Sequence, residues 1–543
     1  MSAPNSTGMS DLPDATGAPT PERVASHRRL ARSTLIFSIA TGLSRLLGLV
    51  REMVAAYYFG INGKINAFTV AFQIPNLARA LLADAALSGA FVPVFSDLLE
   101  KGDRKRAWRV ASTIFWLVLL VLGGLTAFFI LIAPVLLRPF GLPPGDFQLA
   151  VGLSRVLFPI VVLLGLSGVI VGILNTYDHF TVPALTPVFW NLAIIVGLVI
   201  GVPRVNTENA ELYVYAGAIL VGTLIQLFLP VPWLRGLDGR LQLVLDWRDP
   251  AVRRFFKLML PVTVTLGLIN VNAVIDTLFA SRLIDPNQAP AAINAAFRLY
   301  MLPQGMFSVA VATVLFPALA RLAARNDLDA FRATVGTGLR QIGFLLIPAA
   351  IVSVVLAEPI VRLVYQRGAF TESDVTVVAG CLAAFSLGLV FNGWMLMLTR
   401  AFYGIQSNWV PTTIAVGTLA LNAALDLVLY RVGVWGIPLA TSLVNIVGAA
   451  LLAVFLRRRV GGLDMRRVSD AVVRVTIASA ALGATAYGLW YVLDHALGRS
   501  VAAQVIALAV ALAMGTFVYL GSCRVLRVRE LAALRESLSR RRP

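Results

Sequence analysis

"FVPVFSDLLEKGD", residues 91–103, returns about 224 residues later as "LFPALARLAARND", residues 315–327, placing Pro93 over Pro317, Leu98 over Leu322 and Asp103 over Asp327. The offset persists. "LIAPVLLRPFG" (131–141) resembles "VLAEPIVRLVYQRG" (355–368), and Pro183 in "FTVPALTP" resembles Pro411 in "NWVPTTIA". Six apolar runs separate the copies, and an even number of crossings leaves both the same way up. That predicts two lobes related by an axis along the membrane normal.

Working outward, apolar runs of membrane-spanning length recur from one end of the chain to the other. Only 14% of the 543 residues are charged and 58% are hydrophobic, against about 25% charged for an average soluble chain. The expected fold is an all-α polytopic membrane protein with 14 transmembrane helices. Residues 1–32 form a disordered tail, 33–235 a first lobe of six spans, 236–460 a second lobe of six, 461–525 two further spans, and 526–543 a basic tail. The first run, 33–59, is too long and too charged for a cleaved signal peptide, and 335–361 reads as a single ninth span.

The excess of 46 Lys and Arg over 28 Asp and Glu suits nucleic acid only if a solvated domain carries it, and none is present. Membrane topology accounts for it better. With both termini cytoplasmic, loops and tails on that side hold 33 of the 46 basic residues and the opposite side eight. Two cysteines, Cys381 and Cys523, lie far apart in apolar segments and give no disulfide framework. His27, His179 and His495 fall in a tail or in loops, and no catalytic motif accompanies them, so an enzyme is not expected.

The remaining five basic residues, Arg45, Arg51, Arg79, Arg155 and Arg298, lie inside apolar runs. An arginine at mid-bilayer costs about 2.5–3.5 kcal/mol on insertion scales. Snorkelling to the headgroups relieves part of that cost for Arg155 and Arg298, and pairing with Glu52 for Arg51. Glu52 and Asp84 are the only acids near Arg45, Arg51, Arg79 and Arg298, which leaves a surplus of positive charge. If the repeat brings the four together, they form an anion site, and their forked donors suit a diphosphate. A drug exporter would need acids there instead. A second constellation, Asp276, Asn422 and Asp426 with Thr441 or Ser442, offers hard oxygens to a small cation such as Na⁺ or forms a hydrogen-bonded cluster without one.

"SRLLGLVREMVAAYYFG", "NAFTVAFQIPNLARALLADAALSGAFVPVF", "FRLYMLPQGMFSVAVATVLFPAL" and "YQRGAFTESD" together resemble the MurJ (MviN) family of lipid II flippases, within the multidrug/oligosaccharidyl-lipid/polysaccharide exporter superfamily. The resemblance runs from about residue 30 to 525. It implies two six-helix lobes around a cationic cavity, with the last two helices forming a groove for a polyprenyl tail. The implied substrate is lipid II, an undecaprenyl diphosphate bearing a disaccharide-pentapeptide, moved across the bacterial plasma membrane amid other membrane lipids and cell-wall synthesis or division machinery. Position by position, the family's cavity arginines fall on Arg45, Arg51, Arg79 and Arg298, its acid on Glu52, and its sodium site on Asp276, Asn422, Asp426 and Thr441 or Ser442. One departure stands out: the family's aspartate after the first span is Asn66 here. A sister exporter of another polyprenyl-diphosphate saccharide or of drugs, or a non-transporting membrane scaffold, are the rival functions.

Overall fold

The computed structural model describes residues 21–82, 85–407 and 409–531, and the regular structure among them is helical. The first half runs through α1 (Pro21–Phe59), α2 (Ile65–Leu82), α3 (Ala85–Glu100), α4 (Arg104–Leu137), α5 (Pro144–Leu157), α6 (Pro159–Thr176), α7 (Thr181–Gly201) and α8 (Glu208–Phe228). The second half follows as α9 (Pro250–Phe279), α10 (Ala289–Pro303), α11 (Val309–Ala324), α12 (Leu328–Val355), α13 (Ala357–Tyr365), α14 (Glu372–Leu387), α15 (Leu389–Gly404), α16 (Trp409–Leu429) and α17 (Gly436–Val460). Finally α18 (Met465–Leu497) and α19 (Val501–Val525) pack on each other and on α12.

The sequence repeat is a structural repeat. Asp103 and Asp327 both cap helices, accepting from the backbone N–H of Arg106 at 3.3 Å and of Ala330 at 3.0 Å. Such caps satisfy a donor that the helix leaves unpaired. Pro183 and Pro411 are each the third residue of their helix, where a missing N–H costs nothing. Packing repeats as well: α3 lies on α6 as α11 lies on α15, α4 on α6 as α12 on α15, and α5 on α8 as α14 on α17.

By length and apolar composition, ten helices among the described residues can cross a membrane, or eleven if the 42° bend between α14 and α15 interrupts one span. The first, second and seventh expected spans are not in that set; they carry the internal charges or run through positions outside the described residues. Two boundaries differ from expectation. Helix α1 begins at Pro21, inside the stretch expected to be a disordered tail, because Glu22, Arg23, Ala25 and Ala31 favour helix and proline suits its first turn. The ninth span stops at Val355 and α13 starts afresh, since the Pro359 ring clashes with the carbonyl four residues back, that of Val355. The expected tails at 1–20 and 532–543 lie outside the described residues.

The helices alternate between two ends. The end from which α1 rises also holds the 101–103, 229–249 and 461–464 turns and is called the terminal end; the other is the far end. Between lobes, α9 packs along α2 and α3, whereas α1 meets the second half chiefly at α13, at the far end.

Candidate functional site

Helix rise places the internal charges on two levels, since each residue advances about 1.5 Å. Arg51 and Glu52 on α1 and Arg298 on α10 lie about 11–14 Å below the far end of their helices, and Arg45 and Arg79 about 21 Å below it. Both levels fall within a hydrocarbon core about 30 Å thick.

On the upper level the three side chains meet. Arg51 is ion-paired to Glu52, and Glu52 Oε1 lies 3.7 Å from Arg298 Nε. Arg298 Nε also donates to Asn294 Oδ1, one turn earlier, at 3.2 Å. Trp190 of α7 covers the Arg51 guanidinium, 4.7 Å from its ring centre, in cation–π geometry. Arg51 was expected to face a diphosphate. The structure instead leaves it 9% exposed, one face against indole and one edge on a carboxylate. Arg51 thus contacts both Glu52 and the Trp190 ring of α7, while the Arg298 side chain is 43% exposed.

On the lower level Arg45 is exposed and has no ion pair among the described residues. It reaches toward the irregular turn Gln304–Ser308 that joins α10 to α11, where a Cβ on Gly305 would lie 3.1 Å from Arg45 Nη1. Glycine there leaves room for the guanidinium. Arg79 is half-buried and donates twice to Asn76 Oδ1, at 3.1 and 2.9 Å. Asp84, the other nearby acid, lies outside the described residues, and Arg155 donates to the Ile130 carbonyl at 3.3 Å on an exposed face.

The second constellation is brought together between α9 and α16. Asn422 Nδ2 donates to Asp276 Oδ1 at 2.7 Å and to Asp426 Oδ2 at 3.0 Å, and Asn272 Nδ2 donates to Asp276 Oδ2 at 3.1 Å. Among the described residues, Asn422 Oδ1 and Asp426 Oδ1 are buried with no hydrogen-bond donor. Oxygens left so are what a small hard cation would take. Of the two hydroxyls expected here, Ser442 is committed elsewhere: it accepts from the Gly388 N–H at 3.0 Å and donates to the Ala384 carbonyl at 2.6 Å, holding the break between α14 and α15. The Thr441 hydroxyl donates to the Ile437 carbonyl, one turn back, at 3.4 Å.

Sequence reasoning missed the far-end closure. Asn66 Nδ2 lies within donating distance of the carbonyls of Ile61 (2.8 Å), Gly63 (3.1 Å) and Asn287 (2.5 Å), while its Oδ1 accepts from the Ala291 N–H at 2.9 Å. Asn62 donates to Asp374 Oδ1 at 2.5 Å and accepts from Gln288 at 3.1 Å. The Ala369 N–H donates to the Tyr57 carbonyl at 2.8 Å. The quoted block "YQRGAFTESD" held the signal, in Gly368: its φ of +60 and its contact with the Tyr57 carbonyl admit no side chain.

Comparison with known proteins agrees over most of the chain. The family model described as "Lipid II flippase MurJ" matches residues 55–518. A probable lipid II flippase MurJ from Synechocystis sp. is 31% identical over 452 residues, covering 81% of this chain and 84% of its own length. The lipid II flippase MurJ of Burkholderia cenocepacia is 32% identical over 449 residues, covering 79% and 84%. Among solved structures, a lipid II flippase MurJ in an inward closed conformation superposes with a TM-score of 0.74 at 25% identity, over 90% of this chain and 98% of its own. An inward-facing multidrug resistance MATE transporter of the MOP superfamily shares the fold, with a TM-score of 0.61 at 16% identity over 80% and 97%.

Proposed function

This chain belongs to the lipid II flippase MurJ family, and from that membership we propose how its internal charges handle the lipid it moves. It is a multi-pass protein of the bacterial inner membrane that transfers lipid II to the outer leaflet by alternating access. The reading of the site is that Arg45, Arg79 and Arg298 receive the diphosphate, with Glu52 setting the position of Arg298. The observation that carries it is the inequality among the arginines: Arg51 is covered and paired, whereas Arg45 and Arg298 are exposed, Arg45 without an ion pair among the described residues and Arg298 with only the 3.7 Å approach to a Glu52 already paired to Arg51. An unpaired diphosphate in hydrocarbon is prohibitive, and guanidinium forks replace the water it loses.

The seam between α1 and α10–α11 is the entrance in this reading. Leu43, Leu46 and Val50 on one side and Met301, Met306 and Val309 on the other are exposed, flanking Arg45 with apolar surface along which a prenyl chain can lie. The terminal end faces the cytoplasm, as the basic residues favour, and the last two helices guide the rest of the tail. Protein partners in cell-wall synthesis or division belong to the same proposal.

A sodium ion is proposed between Asp276, Asn422, Asp426 and Thr441, where it would supply the positive charge that two neighbouring carboxylates lack. The chain's own contribution is to hold α9 against α16 through Asn422.

Replacing Arg45 or Arg298 with alanine is expected to lower lipid II exposure at the outer leaflet on the order of 30-fold or more, the worth of a lost charge-assisted bond. Arg51→Ala is expected to reduce the amount of folded protein instead. Normal exposure in Arg45→Ala, at normal protein level, would overturn the assignment.

A further inference from the structure

A cleft of about 590 Å³ opens at the far end between the two lobes, lined by Arg138, Pro139, Leu278, Phe279, Arg282 and Leu283. It lies apart from the charges described above. Arg138 follows directly on the last residue of α4, and Arg282 comes three residues after the last of α9, so both guanidinium groups stand where apolar helix gives way to the headgroup layer. Neither has an acidic partner within salt-bridge distance among the described residues, and both are exposed. The floor of the cleft is apolar, and the neighbouring face of α4, with Phe128, Leu131 and Val135 exposed at helical spacing, continues it toward the hydrocarbon.

The two sides of the cleft are fastened to each other. Ser281 Oγ donates to the Phe140 carbonyl at 2.8 Å, and Arg282 Nη1 lies 3.5 Å from the Pro139 carbonyl. Gly141, at φ +69, lets the Arg282 side chain lie over the turn, since a Cβ there would come within 3.3 Å of Nη1. Arg138 and Arg282 thus line the cleft from the two lobes, together with Leu278, Phe279 and Leu283, and Arg282 is held over the 138–141 turn. A second far-end pocket, beside Arg362, Arg367 and Arg499, lacks this surplus: Arg362 meets Glu358 and Asp494, and Arg499 meets Glu372.

We propose that this cleft binds an anionic phospholipid of the outer leaflet, its phosphate between Arg138 and Arg282 and one acyl chain along Leu278, Phe279 and Leu283. A free anion would use the arginines but not the slot, and a neutral lipid the slot but not the arginines. The site does not depend on the transported lipid, so it stands or falls separately from the diphosphate assignment.

The test uses the full chain in nanodiscs of phosphatidylcholine containing a minor share of phosphatidylglycerol, with retained lipid counted by native mass spectrometry. Wild-type protein is expected to retain phosphatidylglycerol in preference to phosphatidylcholine. In R138Q/R282Q that preference falls on the order of tenfold, as two interfacial basic residues warrant, while R204Q/R431Q, at the same end but outside the cleft, leaves it unchanged. No preference in wild type, an unchanged preference in R138Q/R282Q, an equal fall in the control pair, or displacement of the lipid by millimolar inorganic phosphate would each overturn the proposal.

Discussion

The two seams between the lobes are related by the repeat, yet they differ along their whole length. On one side α9 packs along α2 and α3, with Gln73 Nε2 donating to Thr277 Oγ1 at 2.8 Å, and its first turn is tied down by Arg106–Asp249 and Arg254–Asp97 pairs. On the other side α1 meets the second lobe chiefly near the far end, through Tyr57–Ala369 and the Asn62–Asp374 bond just beyond it, with only the Glu52–Arg298 pair and the approach of Arg45 to Gly305 below among the described residues. Below that clasp its apolar face and Arg45 are exposed. The corresponding helices have diverged in chemistry to match: α9 carries Asn270, Asn272 and Asp276, while α1 carries Arg45, Arg51 and Glu52.

The α1 seam is most sensitive at its far-end clasp. Gly368→Ala puts a Cβ into the Tyr57 carbonyl and forces a side chain into the left-handed region. The expected cost to the closed far end is about 3 kcal/mol or more, because neither backbone can yield without losing the Ala369–Tyr57 hydrogen bond. Spin labels at Lys64 and Ser373 are expected to report a longer and broader distance than in wild type, with lipid II exposure reduced. An unchanged distance distribution would mean that the α1 seam is held by something other than this clasp.

A second substitution probes the far end of the α9 seam. Asn66→Asp keeps the acceptor for the Ala291 N–H but turns three donor contacts, to Ile61, Gly63 and Asn287, into carboxylate facing carbonyl. The expected loss is about 2–3 kcal/mol. Because α9 packs along its length, only the far end should loosen: labels near residues 64 and 288 separate, while those midway along α2 and α9 do not. Separation along the whole seam would erase the distinction between the two sides.

Much of this was legible beforehand. Asp103 and Asp327 announced the repeat as sequence and became equivalent caps as structure, because capping depends on a residue type and a spacing of three. Arg298, Arg51 and Glu52 could be placed together because charge in an apolar run has few places to go. The Trp190 cover over Arg51 could not be read, since it depends on how α7 lies against α1. Asn66 was visible as a departure but its meaning was not: its contacts with Asn287 and Ala291 exist only once the start of α2 and the start of α10 have met. The break at Val355 was missed when 335–361 was read as one span, although Pro359 sets it by a local rule, and the closed and open seams follow from no local rule.

The smallest effect lies at the foot of α9. Asp249 caps that helix by accepting from the Ala251 N–H at 2.7 Å and pairs with Arg106 Nε at 3.0 Å. The Arg106 guanidinium holds this carboxyl below the usual carboxylate range, ahead of its own partial burial, which acts the other way. A carboxylate whose folded value is depressed lends stability that is complete above the unfolded value, about 3.9, and is lost as pH falls through the folded one. Asp249→Asn keeps the cap, since asparagine caps as well, and deletes the pair. At pH 7 the variant should unfold in detergent with a loss of about 0.5–1 kcal/mol, and the gap to wild type should begin to narrow below about pH 4, the unfolded value, and close once pH falls below the lowered folded one, where Asp249 itself becomes neutral. Transport should be nearly unchanged, because α2 and α3 still hold α9 along its length. A large transport defect would show that the closed seam depends on its foot and that the two sides of the molecule are less different than their packing implies.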